Sequence, residues 1–226
     1  MHNIVIADDH PLFRDAIRGV LLKLFPEVNI LESHNVDSTL DIIAAEPDID
    51  LVLLDLNMDG MDGFNGIVKI RNTHPEIPIV VVSSEENRAI VLQTITCGAI
   101  GFISKSTEGS KIEDALMSIL DGQIYLPPDI IRSSEDSSSQ DKSDSGSTHA
   151  PLDPALVSTL TRRQLLVLEH IVLGQSNKQI SYDLDIAETT VKAHVSAILN
   201  KLKVNNRIQA ALRSSQLNFN QLLNRV

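Results

Sequence analysis

The sequence predicts an α/β protein, a doubly wound five-stranded parallel sheet, followed by a separate all-α unit of four helices. Three observations carry this. Five short apolar runs alternate with five helical stretches over the first half of the chain. Alternation at that spacing forces parallel strands joined by helical crossovers. The runs are continuous, Leu51-Val52-Leu53-Leu54 most clearly, as strands covered on both faces require. From Leu160 onward only helical periodicity remains.

The elements follow in order. Asn3 to Ala7 reads as the first strand and runs into Asp8-Asp9. Pro11 opens a helix whose Phe13, Ile17, Val20, Leu21 and Leu24 recur at three- and four-residue spacing. Val28 to Leu31 reads as a strand, and Asp37 as the cap of a helix from Ser38 to Ala45. The central strand ends at Asp55, before the turn signals Asp59-Gly60 and Asp62-Gly63. Phe64 to Arg71 reads as helix, Pro78 to Val82 as strand, and Ala89 to Cys97 as helix broken by Gly98. Ala99 to Ile103 reads as the fifth strand and Ile112 to Leu120 as a helix stopped by Gly122.

Composition then shifts. Ser133 to Thr148 holds no large apolar residue and many acids and serines. Such a stretch cannot bury enough surface to offset its ordering entropy, so it reads as a flexible linker. The expected division is 1–124, a linker over 125–157, and a helical domain over 158–226. There Thr161 caps a first helix that Gly174 ends, and Ser176-Asn177 starts a second. Asp185-Ile186-Ala187 is a tight turn into a third, Glu188 to Leu202, with Val191, His194, Val195, Ile198 and Leu202 inward. Asn205-Asn206 starts a fourth, carrying Ile208, Ala211 and Leu212. Two short helices joined by a tight turn form a helix-turn-helix.

Bulk properties narrow the classes. No apolar run approaches the roughly 20 residues of a membrane span, so no membrane is expected. The single Cys97 excludes an intramolecular disulfide and a multi-cysteine zinc site, and the histidines show no metal-ligand spacing. No signal peptide is expected, and the expected location is cytoplasmic. The net charge of -11 is unevenly spread: residues 1–125 are strongly acidic and residues 159–226 are basic. An acidic body with a basic tail fits nucleic acid at the tail alone, although a solvated surface produces the same asymmetry.

In open α/β sheets the carboxyl ends of the strands carry the site. Here those ends deliver Asp8 and Asp9, Asp55, Ser83 and Lys105 to one edge. Three carboxylates at one spot repel unless a cation joins them, and hard oxygen donors suit Mg²⁺. A carboxylate can form an aspartyl phosphate, and phosphoryl transfer asks the protein mainly for position and charge neutralisation. Asp55 therefore reads as a phosphoacceptor, Lys105 as its charge partner and Ser83 as a hydroxyl donor to a phosphoryl oxygen. Each residue alone has a plainer reading: a helix cap, a turn serine, a solvated lysine. Their co-occurrence at successive strand ends is what is specific. Phosphatases of the haloacid-dehalogenase type put a second aspartate two residues after the nucleophile, where Asn57 stands here, so a turnover enzyme is disfavoured.

Asp8-Asp9, Asp55-Leu56-Asn57-Met58, Ser83 and Gly101-Phe102-Ile103-Ser104-Lys105 together resemble the receiver domain of two-component response regulators, a flavodoxin-like fold. The resemblance implies a sensor histidine kinase as phosphodonor. It implies Mg²⁺ on Asp9, Asp55 and the Asn57 carbonyl, with Asp8 assisting, and Phe102 as an aromatic switch. Two positions depart from the family, which usually has proline at Asp59 and at Ser106. The loop after Asp55 is expected to be looser, and the loop bearing Lys105 to be set differently.

Leu160-Thr161-Arg162-Arg163-Gln164, Gly174 to Ile180, Thr190 to Val195 and Lys201 to Arg207 resemble the LuxR-type helix-turn-helix. With the receiver in front, the chain looks like a response regulator of the NarL/FixJ type. That implies an operator in double-stranded DNA, a homodimer when active and a dimer contact on the fourth helix. Glu188 to Leu202 becomes the recognition helix, with Thr189, Lys192, Ala193 and Ser196 on its outer face. Lys178, Lys192, Lys201 and Arg207 become candidates for phosphate contact. Gln164 stands where the family usually has Glu, so an internal ion pair is expected to become a neutral hydrogen bond. Ala187 stands where the recognition helix usually has a serine cap. Leu217, Leu222 and Leu223 point to an extra helical turn or strap. The alternative function is a phosphorylation-independent DNA-binding regulator whose receiver serves as a dimer scaffold.

Overall fold

The computed structural model describes residues 2–127, apart from 47, 122 and 124, and residues 153–223. The Ser133–Thr148 tract expected as a linker lies outside them. The chain divides into two compact units, Met1–Pro127 and Pro128–Val226.

In the first unit five strands form one parallel sheet in the order β2-β1-β3-β4-β5. They are β1 Asn3–Ala7, β2 Asn29–Ser33, β3 Leu51–Asp55, β4 Ile79–Ser83 and β5 Gly101–Ser104. Five helices alternate with them: α1 Pro11–Leu24, α2 Val36–Ala45, α3 Asn65–Thr73, α4 Arg88–Thr96 and α5 Gly109–Leu120. All residues of β3 and β4 are buried, which explains their unbroken apolar sequence. Register puts Ala7 beside Leu54, Asp55 beside Val82, and Ser83 beside Ser104. Asp8, Asp55 and Lys105 thus leave the sheet at one edge.

Some boundaries moved. β2 begins at Asn29 and runs to Ser33, because Ser33 is held inside by a hydroxyl bond to Thr39, 2.7 Å. Asn35, not Asp37, caps α2, its side chain accepting the Ser38 N–H at 2.7 Å. β5 begins at Gly101, not Ala99. Past α5, Tyr125 pairs with Gly101, and its carbonyl accepts the Phe102 N–H at 2.9 Å. The first unit therefore continues to Pro127.

The second unit holds α6 Pro154–Val157, α7 Arg162–Val172, α8 Asn177–Leu184, α9 Glu188–Leu202, α10 Arg207–Ser214 and α11 Phe219–Leu223. Its core joins Leu165, Leu168, Ile171, Ile180, Val191, Val195, Ile198 and Leu202. Two capping boxes start α7 and α8: Thr161 with Gln164, and Ser176 with Gln179. Leu217, Leu222 and Leu223 pack on this core, so the chain end adds both a helical turn and apolar cover. On α10, Ala210 and Ser214 turn inward, whereas Leu212 is exposed.

Candidate functional site

The end of β3 places Asp55 at the floor of a cleft of about 450 Å³ lined by His10, Phe13, Asp55, Asn57, Ser84 and Lys105 among others. Asp55 is 1 % exposed. Its Oδ2 accepts from Lys105 Nζ at 2.8 Å, and its Oδ1 from the Asn57 N–H at 3.2 Å. Asp8, also buried, accepts the His10 N–H on Oδ1 at 2.8 Å. Its Oδ2 lies 2.7 Å from Lys105 Nζ as an ion pair. Arg14 fixes the turn beneath, donating to the Asp8 carbonyl at 2.6 Å and to Glu32 at 3.2 Å. Burial works against the charged form of Lys105, but Asp55 and then Asp8 outweigh it and hold its pKa above the usual lysine value. The ammonium also sits 4.8 Å from the Phe13 ring centroid.

Asp8, Asp9, Asp55 and His10 each offer a ligand atom, all within 4.8 Å of one another. Three carboxylates, two of them buried, face one ammonium. Such a donor set fits a hard divalent cation. His10 escaped the sequence reading. Its Nδ1 stands 2.6 Å from Asp9 Oδ1 and 3.9 Å from Asp55 Oδ2. Only its place directly after Asp8-Asp9 could have signalled this.

Of the two serines that end β4, Ser84 is the one that lines the cleft. Ser83 is fully buried, and its Oγ accepts the Glu85 N–H at 3.2 Å while its carbonyl accepts the Lys105 N–H at 2.8 Å. Phe102 is fully buried in β5. In the loop after Asp55, the Asp59 carbonyl accepts the Val36 N–H at 3.1 Å, a tie to the start of α2. The loop bearing Lys105 has no cis peptide bond, and Ser106 bonds to Ser104 and Glu86.

In the second unit, Thr189 and Ala193 are exposed on α9 and Ser196 is partly exposed. Lys178 is exposed on α8. Lys192 corrects the sequence reading: it is 8 % exposed, not on the outer face. Leu199, seven residues on and so on the same side, is 1 % exposed. The buried face is wider than the stripe of Val191, Val195 and Ile198, and it covers the apolar stem of the lysine. Lys201 and Arg207 are committed inside the unit. Lys201 Nζ donates to the Thr159 carbonyl and to Gln164 Oε1, both at 2.8 Å. Arg207 donates to the Gln175 carbonyl, and burial lowers its pKa to about 10. At Gln164 the contact is a hydrogen bond rather than an ion pair, but not a neutral one: the amide oxygen accepts from the Lys201 ammonium. Ala187 has extended cap geometry but no side-chain cap bond.

Residues 4–117 match the model of the response regulator receiver domain, and residues 158–214 that of the bacterial regulatory proteins of the luxR family. The chain is a response regulator. This response regulator is 52 % identical over 225 residues, the full length of both chains, to a glycerol metabolism activator of Pseudomonas putida. It is 31 % identical to the nitrate/nitrite response regulator protein NarL of Escherichia coli K12, over 92 % of this chain and 93 % of that one. A solved LuxR family DNA-binding response regulator from Silicibacter pomeroyi is 27 % identical, with TM-score 0.51, over 57 % of this chain and 99 % of that one. The response regulator is thus a transcription regulator with a LuxR-type DNA-binding domain, not a turnover enzyme. No helix among its described residues is long and apolar enough to cross a membrane.

Proposed function

We propose that Asp55 accepts a phosphoryl group from a sensor histidine kinase, and that this controls dimerisation and sequence-specific operator binding. The observation that carries the reading is one buried carboxylate at the end of the central strand, bonded by Lys105 and flanked by Asp8 and Asp9. An Asp55 oxygen attacks phosphorus, and the donor's leaving group departs with the electron pair of the broken bond. Lys105 donates to Asp55 at 2.8 Å and offers its ammonium to the incoming phosphoryl oxygens. A serine hydroxyl, Ser83 or its neighbour Ser84, donates to one of them. Asp9, Asp55 and the Asn57 carbonyl, with Asp8 assisting, would hold Mg²⁺, which when bound neutralises carboxylate and phosphoryl charge. Phe102 is the aromatic that answers the change.

Within this reading, residues 1–124 form the receiver, with Tyr125–Pro127 as its closing strip. Residues 158–226 form the DNA-binding domain, and the protein works in the cytoplasm. Thr189, Ala193 and Ser196 face the bases, Lys178 a phosphate, and exposed Leu212 on α10 the second copy. Lys192, Lys201 and Arg207 support the helices that make these contacts. The identity to the glycerol metabolism activator supports an activator of glycerol-metabolism genes as the biological role.

Footprinting and light scattering test the reading, with and without acetyl phosphate and Mg²⁺, with Asp55→Ala as control. Phosphodonor raises dimer and operator occupancy in the wild type alone. Equal binding by both proteins overturns the reading and favours the dimer scaffold.

A further inference from the structure

We propose that Glu86 is a positioning residue for phosphoryl transfer to Asp55, acting through Lys105; the inference rests on the phosphoacceptor reading above. Lys105 is flanked by two serines, and the Glu86 carboxylate accepts a hydrogen bond from each. The Ser106 hydroxyl donates at 2.5 Å, and the Ser104 hydroxyl binds the same oxygen. The two hydroxyls are 2.8 Å apart, and the Ser106 N–H donates to Ser104 Oγ at 3.1 Å. The Thr107 N–H closes the turn onto the Ser104 carbonyl at 3.0 Å. One carboxylate thus clasps the serine hydroxyls on both sides of the lysine.

The clasp is anchored. Glu86 lies in the loop after β4, held on one side by the Glu85 N–H on Ser83 Oγ. On the other side Asn87 caps α4, accepting the Ala89 N–H at 2.9 Å. Ser104 is buried, so its hydroxyl cannot trade Glu86 for bulk water freely. The two serine bonds also hold the Glu86 carboxyl below its usual pKa. Proline is usual where Ser106 stands, and its ring would stiffen this backbone and remove the N–H. Here two hydrogen bonds, the Ser106 hydroxyl to Glu86 and the Ser106 N–H to Ser104 Oγ, take the ring's place. Lysine has a long, flexible stem, so the ammonium meets Asp55 and Asp8 only if its backbone is fixed.

In the step concerned, an Asp55 carboxylate oxygen forms a bond to phosphorus as the bond to acetate breaks, and acetate leaves with the electron pair. No proton or electron enters.

The test measures Asp55 phosphorylation of the full chain by mass spectrometry, over a series of acetyl phosphate concentrations with Mg²⁺. Wild type, Glu86→Ala and Glu86→Gln are compared. Glu86→Ala is expected to lower the saturated rate roughly 5- to 10-fold, about the effect of one or two lost hydrogen bonds, with the half-saturating concentration little changed. Glu86→Gln keeps an oxygen for both hydroxyls and should retain at least about half the wild-type rate. A Glu86→Ala rate equal to wild type, or a Glu86→Gln rate as low as that of Glu86→Ala, overturns the proposal while leaving the phosphoacceptor reading intact. A wild type never modified at Asp55 overturns both.

Discussion

Lys105 Nζ lies 2.8 Å from Asp55 Oδ2 and 2.7 Å from Asp8 Oδ2, so one ammonium serves two buried carboxylates. Lys105→Met leaves both unneutralised. The expected cost is about 3 kcal/mol of stability, the range for a buried pair that loses one partner. Mg²⁺ should restore more melting temperature to this variant than to wild type, since a cation then does the work of two. The raised pKa fixes the pH range. The stabilisation is complete below the usual lysine value, about 10.4, and is lost only as pH rises through the higher folded value. Melting curves of wild type and variant should therefore keep a constant gap between about pH 6 and 9. A gap that closes within that window would contradict the pairing.

Gln164→Glu converts the Lys201 contact from amide to carboxylate without disturbing the capping box. It should stabilise the second unit by about 0.5–1 kcal/mol, less at high salt. Thermal denaturation at two ionic strengths checks both the gain and its screening.

Ala187→Ser places a hydroxyl where the backbone already has cap geometry, φ -62° and ψ 146°. Denaturant unfolding should show a gain of about 1 kcal/mol. No gain would mean that Glu188 already meets the charge of that helix end.

Two glycines separate strain from crowding. At Gly98, φ is +115°, and an added Cβ would stand 3.0 Å from Arg71 Cγ. Arg71 is itself buried and donates to the Ile77 carbonyl at 2.7 Å, so it cannot yield cheaply. At Gly63, φ is +73° and nothing lies within 4 Å. Gly98→Ala should cost about 2–4 kcal/mol and Gly63→Ala about 1, measured by chemical denaturation.

The lysines of the second unit should divide by salt dependence. Lys178→Ala should weaken operator binding and lower the salt slope by about 1. Lys201→Ala should instead lower the melting temperature, because its ammonium bonds Thr159 and Gln164. Equal changes in slope would show that Lys201 leaves its internal partners on DNA.

The strands were legible because burial on both faces writes itself as unbroken apolar runs, and Asp8, Asp55 and Lys105 because a charged residue marks where such a run leaves the sheet. His10 was not, since its ring reaches the acids through the backbone turn at the start of α1. Ser83 and Ser84 differ by one position, and sequence does not say which of two neighbouring serines lines the cleft. Lys192 looked solvent-facing because helical periodicity locates the centre of a buried stripe but not its width. Glu86 carried no signal at all: its partners lie 18 and 20 residues away in sequence.

β5 is the outermost strand on its side of the sheet, and an outermost strand offers a row of free N–H and C=O groups to any passing chain. Tyr125 occupies part of that row, and Gly101 lets it come close, since a Cβ there would stand 3.1 Å from the Tyr125 carbonyl oxygen. A fragment cut after Asp121, which keeps all of α5, loses this cover and should self-associate through bare backbone. One cut after Pro127 should stay monomeric. Three residues that look like the start of a tether are therefore also a guard against aggregation.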